Sequence, residues 1–96
     1  MFARLTTAKF KPGALNELMK ICSESIFPVA ESQKGYIKAY LLTNTKENKG
    51  LTITVWDSEE EAVAGEQSGY YQEQIGKIKH LLASIPVREG YEVALK

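Results

Sequence analysis

Only a few side chains in this 96-residue chain combine reactivity with scarcity: one His, one Cys, one Trp and five Tyr. His80 alone has an unperturbed pKa suited to proton transfer near neutral pH. Its spacing argues against that role. Nine residues separate it from Tyr71, so at about 100° per residue it falls opposite the inward face of the same helix. Near a helix C-terminus its positive charge is favourable, which suits a solvent-facing His. Cys22 has no partner for an intramolecular disulfide or a thiolate metal site, and reads as a core residue on an apolar helix face. The tyrosines remain. Tyr71 is expected to point inward and Tyr70, about 100° away, to sit at the rim. Either phenol can hydrogen-bond a ligand. Tyr71, Tyr70 and Trp56 are the aromatic candidates for substrate binding, although an inward aromatic is more often a core residue. No catalytic residue is identified, and no metal or cofactor is implied.

The elements that must hold these residues follow from periodicity. Phe2 to Phe10 is rich in Thr, aromatic and aliphatic residues and reads as a first strand ending at Lys11-Pro12-Gly13. Pro12 is expected to open a helix, because proline suits a first helical turn. Leu15, Leu18, Met19, Cys22 and Ile26 then fill one helical face. Pro28 should interrupt that helix and Gly35 close it. Tyr36–Leu42 and Leu51–Trp56 alternate with a period near two around the turn-prone stretch 44–50, a β-hairpin. Ser58 and Glu61 have capping-box spacing, so a second helix starts there. Gly65 to Gly69 should end or bend it. Tyr71, Ile75, Ile78, Leu82 and Ile85 continue at helical spacing to Pro86, and Val87 to Leu95 reads as a last strand. The order strand, helix, strand, strand, helix pair, strand predicts an α+β, ferredoxin-like βαββαβ sandwich, a four-stranded antiparallel sheet with helices on one face. No repeat or linker divides it, so 1–96 reads as one domain.

Strand alternation sorts the sheet into two faces. Ala3, Leu5, Ile37, Leu41, Ile53 and Val55 belong to the set expected to meet the helices. The opposite set includes Phe2, Arg4, Tyr36, Tyr40 and Trp56, together with Lys38, Leu42 and the threonines 6, 52 and 54. Helices cannot cover both faces, and large aromatics left in water mark an interface. Phe2, Arg4, Tyr36, Tyr40 and Trp56 are thus the expected homodimer contacts.

Composition narrows the partners. Twelve Lys and Arg balance twelve Asp and Glu, and a chain without net positive charge lacks the means to displace counterions from a polyanion. Residues 1–48 carry a net +3 and 49–96 a net −3, a dipole able to orient association. Lys49 to Trp56 has a superficial likeness to the third strand of an RNA-recognition motif, but Leu51 and Ile53 stand where bases would need aromatic platforms. Nucleic acid is excluded as an expected partner. No apolar run approaches the roughly 20 residues needed to cross a bilayer, and the first residues lack the apolar run of a signal peptide. The expected location is the cytoplasm.

The whole chain resembles the antibiotic biosynthesis monooxygenase domain superfamily of dimeric α/β-barrel proteins. The resemblance rests on Lys11-Pro12-Gly13, on Pro28 followed by Gly35-Tyr36, and on Trp56-Asp57-Ser58-Glu59-Glu60-Glu61-Ala62 leading to Ser68-Gly69-Tyr70-Tyr71. It implies a homodimer and, among enzymatic relatives, oxygenation of aromatic polyketides or quinols without metal or flavin, the substrate itself being deprotonated to react with oxygen. Others degrade haem. Many relatives carry histidines where this chain has Gly65 and Tyr70. The Trp and His of the haem-degrading branch fall on Gly65 and Ile75, which leaves no axial ligand. Two readings follow: a cofactor-independent monooxygenase-like enzyme acting on a small aromatic or quinol-type substrate, or a non-catalytic dimeric module that binds a small ligand or another protein.

Overall fold

The computed structural model describes residues 1–96. Strand β1 spans Phe2–Lys9 and is followed by a helical stretch in three parts: α1 Leu15–Ile21, one π turn at Cys22–Ile26 and α2 Phe27–Glu31. Strands β2 Tyr36–Asn44 and β3 Lys49–Trp56 form the hairpin. Helices α3 Glu59–Gln67 and α4 Tyr70–Ile78 lead through a 3₁₀ turn at Lys79–Leu81 to β4 Val87–Glu92. The sheet is antiparallel throughout, in the order β2-β3-β1-β4. This is the ferredoxin-like α+β layout.

Local chemistry accounts for the breaks. Gly13 adopts φ +79°, so Pro12 shapes the turn before the helix, and α1 starts only at Leu15. Pro28 has no N–H and its ring crowds the carbonyl four residues back. The backbone widens ahead of it, and the Phe27 N–H donates to the Cys22 carbonyl, five residues earlier. The Ser58 Oγ accepts from the Glu61 N–H at 3.2 Å and caps α3. Gly69, at φ +89°, separates α3 from α4.

Two apolar clusters lie between sheet and helices. The larger joins Phe10 and Ala8 with Leu15, Leu18, Cys22 and Ile78; the smaller is Phe2, Trp56 and Ala62, with Tyr36 packed against it. These clusters reverse the expected faces of β1 and β3. Phe2 and Trp56 are each 4% exposed, beneath the helices, and Arg4 and Tyr36 lie on the same side. Of the five residues assigned to a partner face, only Tyr40 is on the uncovered side. The cause is register. Phe2 pairs with Trp56 and Tyr40 with Ile53, and an irregularity between Tyr36 and Lys38 shifts the parity of β2. A one-residue slip exchanges the faces of a strand. The uncovered face carries cross-strand rows Leu42–Leu51–Thr7–Val87, Tyr40–Ile53–Leu5–Glu89 and Lys38–Val55–Ala3–Tyr91. It is mostly aliphatic, and Tyr40, Leu42, Val87 and Tyr91 are each about half exposed.

Candidate functional site

The helix-covered face of the sheet is not fully packed. Along β1 and β3, Arg4, Thr6, Thr52 and Thr54 point toward the helices, and all four line a cavity together with residues of α4. Threonine hydroxyls facing inward leave a polar floor where a core would hold Leu or Ile. The cavity, about 90 Å³, is walled by Trp56 from β3, Glu66 from α3, and Tyr70, Tyr71 and Gln74 from α4.

An ion cluster closes one side. Arg4 Nε lies 2.7 Å from Glu66 Oε1, a close ion pair whose alignment falls short of a hydrogen bond, and Arg88 Nη1 lies 3.2 Å from Glu66 Oε2. Two guanidinium groups share one carboxylate, so the cluster keeps one positive charge. Arg88 also stacks on Tyr71, its Cζ 4.1 Å from the ring centroid, and Arg4 lies over Phe2 at 5.2 Å. Strand pairing assembles this group: Arg4 is opposite Gly90 and Thr6 opposite Arg88. Gly90 is required there, because a Cβ would meet the Phe2 ring and come within 2.8 Å of Arg4 Nη1. On the other side Trp56 meets Tyr36 edge to face, with centroids 6.2 Å apart at 88°. A Cβ at Gly65 would stand in ordinary contact with Trp56 and Tyr70, whose nearest atoms lie 3.5 and 3.8 Å away.

Burial tunes the phenols. It pushes Tyr70 up to about 12, with Tyr36 adding to the effect. Tyr71 is also raised by burial; Arg88 and Arg4 pull it down, and Glu66 pushes it up. Both phenols are protonated at neutral pH and serve as hydrogen-bond donors, not bases. Cys22, also desolvated, is pushed up to about 11 and is an inert thiol. His80 lies outside the cavity in the 3₁₀ turn, its ring 60% exposed and its Nε2 3.6 Å from Glu17 Oε1.

The structure thus brings Tyr71, Tyr70 and Trp56 to one cavity. Glu66, Arg88 and Gln74 were not picked out from sequence. Gln74 had a legible signal, since it lies three residues after Tyr71 and four before Ile78 on the inward helical phase. Glu66 and Arg88 had none, because they meet only through the packing of α3 against β4. No group of three or more His, Cys, Asp or Glu side chains is placed to hold a metal ion, and no helix is long and apolar enough to cross a membrane.

Fold and site together define a ferredoxin-like α+β protein with a small cavity, partly aromatic and partly charged, between its sheet and helices. The family model described as antibiotic biosynthesis monooxygenase matches residues 1–76, and the chain belongs to that family. No curated protein matches it in sequence. Among solved structures it is similar to a putative antibiotic biosynthesis monooxygenase from Bordetella bronchiseptica, at 14% identity and a TM-score of 0.85 over 98% of this chain and 97% of that one. It is also similar to SnoaB, a cofactor-independent oxygenase from Streptomyces nogalater, at 12% identity and a TM-score of 0.81 over 99% and 94%. The haem degrader MhuD from Mycobacterium tuberculosis, solved with two haems bound, matches at 23% identity and a TM-score of 0.81 over 100% and 98%.

Proposed function

We propose that this protein is a cofactor-independent monooxygenase acting on a small aromatic or quinol-type substrate in the cavity between α4 and the sheet. The observation that carries the reading is the Arg4–Glu66–Arg88 cluster against Tyr71, which sets a net positive charge beside an aromatic wall. Such a field favours the deprotonated form of a phenol or quinol and so lowers the cost of its ionisation. The ionised ring is electron-rich enough to pass one electron to dioxygen. Recombination forms a carbon–oxygen bond, and loss of water from the resulting peroxide leaves a carbonyl. One oxygen atom stays in the product and one leaves as water, with both hydrogens supplied by the substrate. In this scheme Tyr71 and Tyr70 orient the substrate as hydrogen-bond donors and Trp56 frames its ring.

Oxygen consumption across a panel of quinols and aromatic polyketides tests the scheme. The expected result is one dioxygen consumed per product, with a single labelled atom incorporated from ¹⁸O₂. No uptake on any member, together with no ligand-induced rise in melting temperature, refutes it. One observation favours the alternative of a non-catalytic ligand-binding or protein-interaction module: no imidazole faces the cavity, and its phenols are held protonated. Ligand stabilisation without oxygen uptake selects that reading.

The uncovered sheet face supports homodimerisation. Its aliphatic rows leave Tyr40, Leu42, Val87 and Tyr91 about half exposed, and a continuous apolar sheet face of this kind needs a cover. A second copy is the cover that a member of this family suggests. The interface residues are then Tyr40, Leu5, Ile53 and Val55; Phe2, Arg4, Tyr36 and Trp56 lie behind the sheet.

A further inference from the structure

A second hollow of about 80 Å³ continues from the first toward the other end of the sheet. The two share the lining residues Thr6, Ile26, Thr52 and Gln74, so they adjoin as two lobes beneath α4. Their chemistry differs. The first lobe holds Arg4, Glu66 and both cavity tyrosines. The second has no charged group and is walled by Phe10, Leu18, Cys22, Ile75 and Ile78. Size is informative, since an apolar cavity of about 150 Å³ holds one benzene. Neither lobe reaches that alone, and joined they pass it.

At the division sits Gln74. Its side chain is 5% exposed, and its Oε1 accepts from Lys77 Nζ at 3.0 Å, yet its Nε2 has no partner. A buried amide donor left unsatisfied is costly, and such a group calls for an explanation. A ligand oxygen placed between the lobes provides one.

We infer that the two lobes together bind one amphipathic molecule: a single hydroxylated ring whose oxygen accepts from Gln74 Nε2 beside the Arg4–Glu66 pair, with a short aliphatic substituent lying along Cys22, Leu18 and Ile78. This deepens the reading of the cavity as a substrate site and rests on it. The inference excludes the polycyclic members of the substrate panel, whose ring systems exceed the joined lobes.

The experiment is calorimetric titration with 2-alkylphenols from methyl upward, in which the oxygen and the tail leave the ring side by side at the division, beside the matching alkylbenzenes. Affinity should rise by about fourfold per added methylene through the short members and stop rising once the apolar lobe is full. The alkylbenzenes, lacking the oxygen, should bind about tenfold more weakly at every length. Gln74→Leu should produce that same tenfold loss for the phenols and none for the alkylbenzenes. Cys22→Leu, which fills the apolar lobe, should flatten the dependence on tail length. Phenols that bind with equal affinity at all tail lengths overturn the two-lobe inference and leave the substrate site standing. Equal affinity of phenols and alkylbenzenes overturns the role of Gln74. If no phenol binds at any length, the two-lobe inference falls, and the substrate reading stands or falls with the oxygen-uptake panel. The comparison of the two ligand series is made on the unaltered protein, so the result does not depend on either variant folding.

Discussion

Replacing Glu66 by Gln separates the structural and electrostatic roles of the ion cluster, because the two predict changes of opposite sign. The Glu66 carboxylate lies 2.7 Å from Arg4 Nε and 3.2 Å from Arg88 Nη1, and the three side chains are 20–36% exposed. Exposed pairs contribute about 0–1 kcal/mol, and breaking fully buried ones costs about 3–5 kcal/mol. This partly buried pair of contacts falls between, at about 1–3 kcal/mol. For a domain of this size each kcal/mol moves the melting temperature by about 4–8 °C, so a drop of roughly 4–24 °C is expected by circular dichroism. Meanwhile the cluster's charge rises from one positive to two. Binding of 4-nitrophenolate should tighten, while a neutral phenol should not gain. Tyr71 supplies a third readout: Glu66 pushes its pKa up and the two arginines pull it down, so in the Gln variant its phenol should titrate at lower pH. An unchanged melting temperature with unchanged phenolate affinity refutes the view of Arg4, Glu66 and Arg88 as one coupled, net-positive unit.

Further outcomes follow from the same geometry. Cys22 is raised from 9.0 to about 11 and Tyr70 from 10.0 to about 12; folding holds the protonated form of each, so their stabilisation is complete below pH 9 and is lost as pH rises toward 12. Tyr70→Phe should therefore flatten the decline in urea midpoint above pH 10, and an unaltered alkaline slope contradicts its burial. Gly90→Val should lower stability by about 1–3 kcal/mol in chemical denaturation, because its Cβ meets Phe2 and Arg4; a neutral effect means that those two side chains do not lie across β4. On the open face, Ile53→Asp should convert a dimer of about twice 10.7 kDa to a monomer in light scattering, while Phe2→Leu, behind the sheet, should leave the dimer intact. A wild-type monomer at micromolar concentration removes the basis for a self-association face.

Local signals in the sequence were sufficient for the elements. Ser58 and Glu61, Pro28, and the period-two runs on either side of residues 44–50 each act within a few residues, and each produced the element that its chemistry predicts. The helix expected to open at Pro12 begins about one turn later, at Leu15, because Gly13 at positive φ delays it. Helical phase, also a local property, points Tyr71 inward and sets Tyr70 at its rim; Trp56, expected both in the site and on the partner face, lies in the cavity and behind the sheet because of the register of β3 with β1.

The faces of the sheet were not a local property. Sequence alternation states that odd and even residues of a strand lie on opposite sides, but which side is covered depends on register with neighbours, and the irregularity between Tyr36 and Lys38 is invisible in the chain. The assumption that the more aliphatic set faces inward failed for a physical reason. The inward set of β1 and β3 lines a cavity, where Arg4, Thr6, Thr52 and Thr54 are useful, and the outward set is aliphatic although no helix covers it, which is the observation behind the proposed self-association. Arg4, Glu66 and Arg88 are far apart in the chain, and only the antiparallel pairing of β1 with β4, together with the packing of α3 across them, makes them one charge cluster. The sequence by itself determined the order of elements and the phase of the tyrosines, because those depend on short-range sterics and periodicity. Tertiary structure decided which face is open, which charges meet and where the cavity lies, because each of those depends on residues brought together from distant strands.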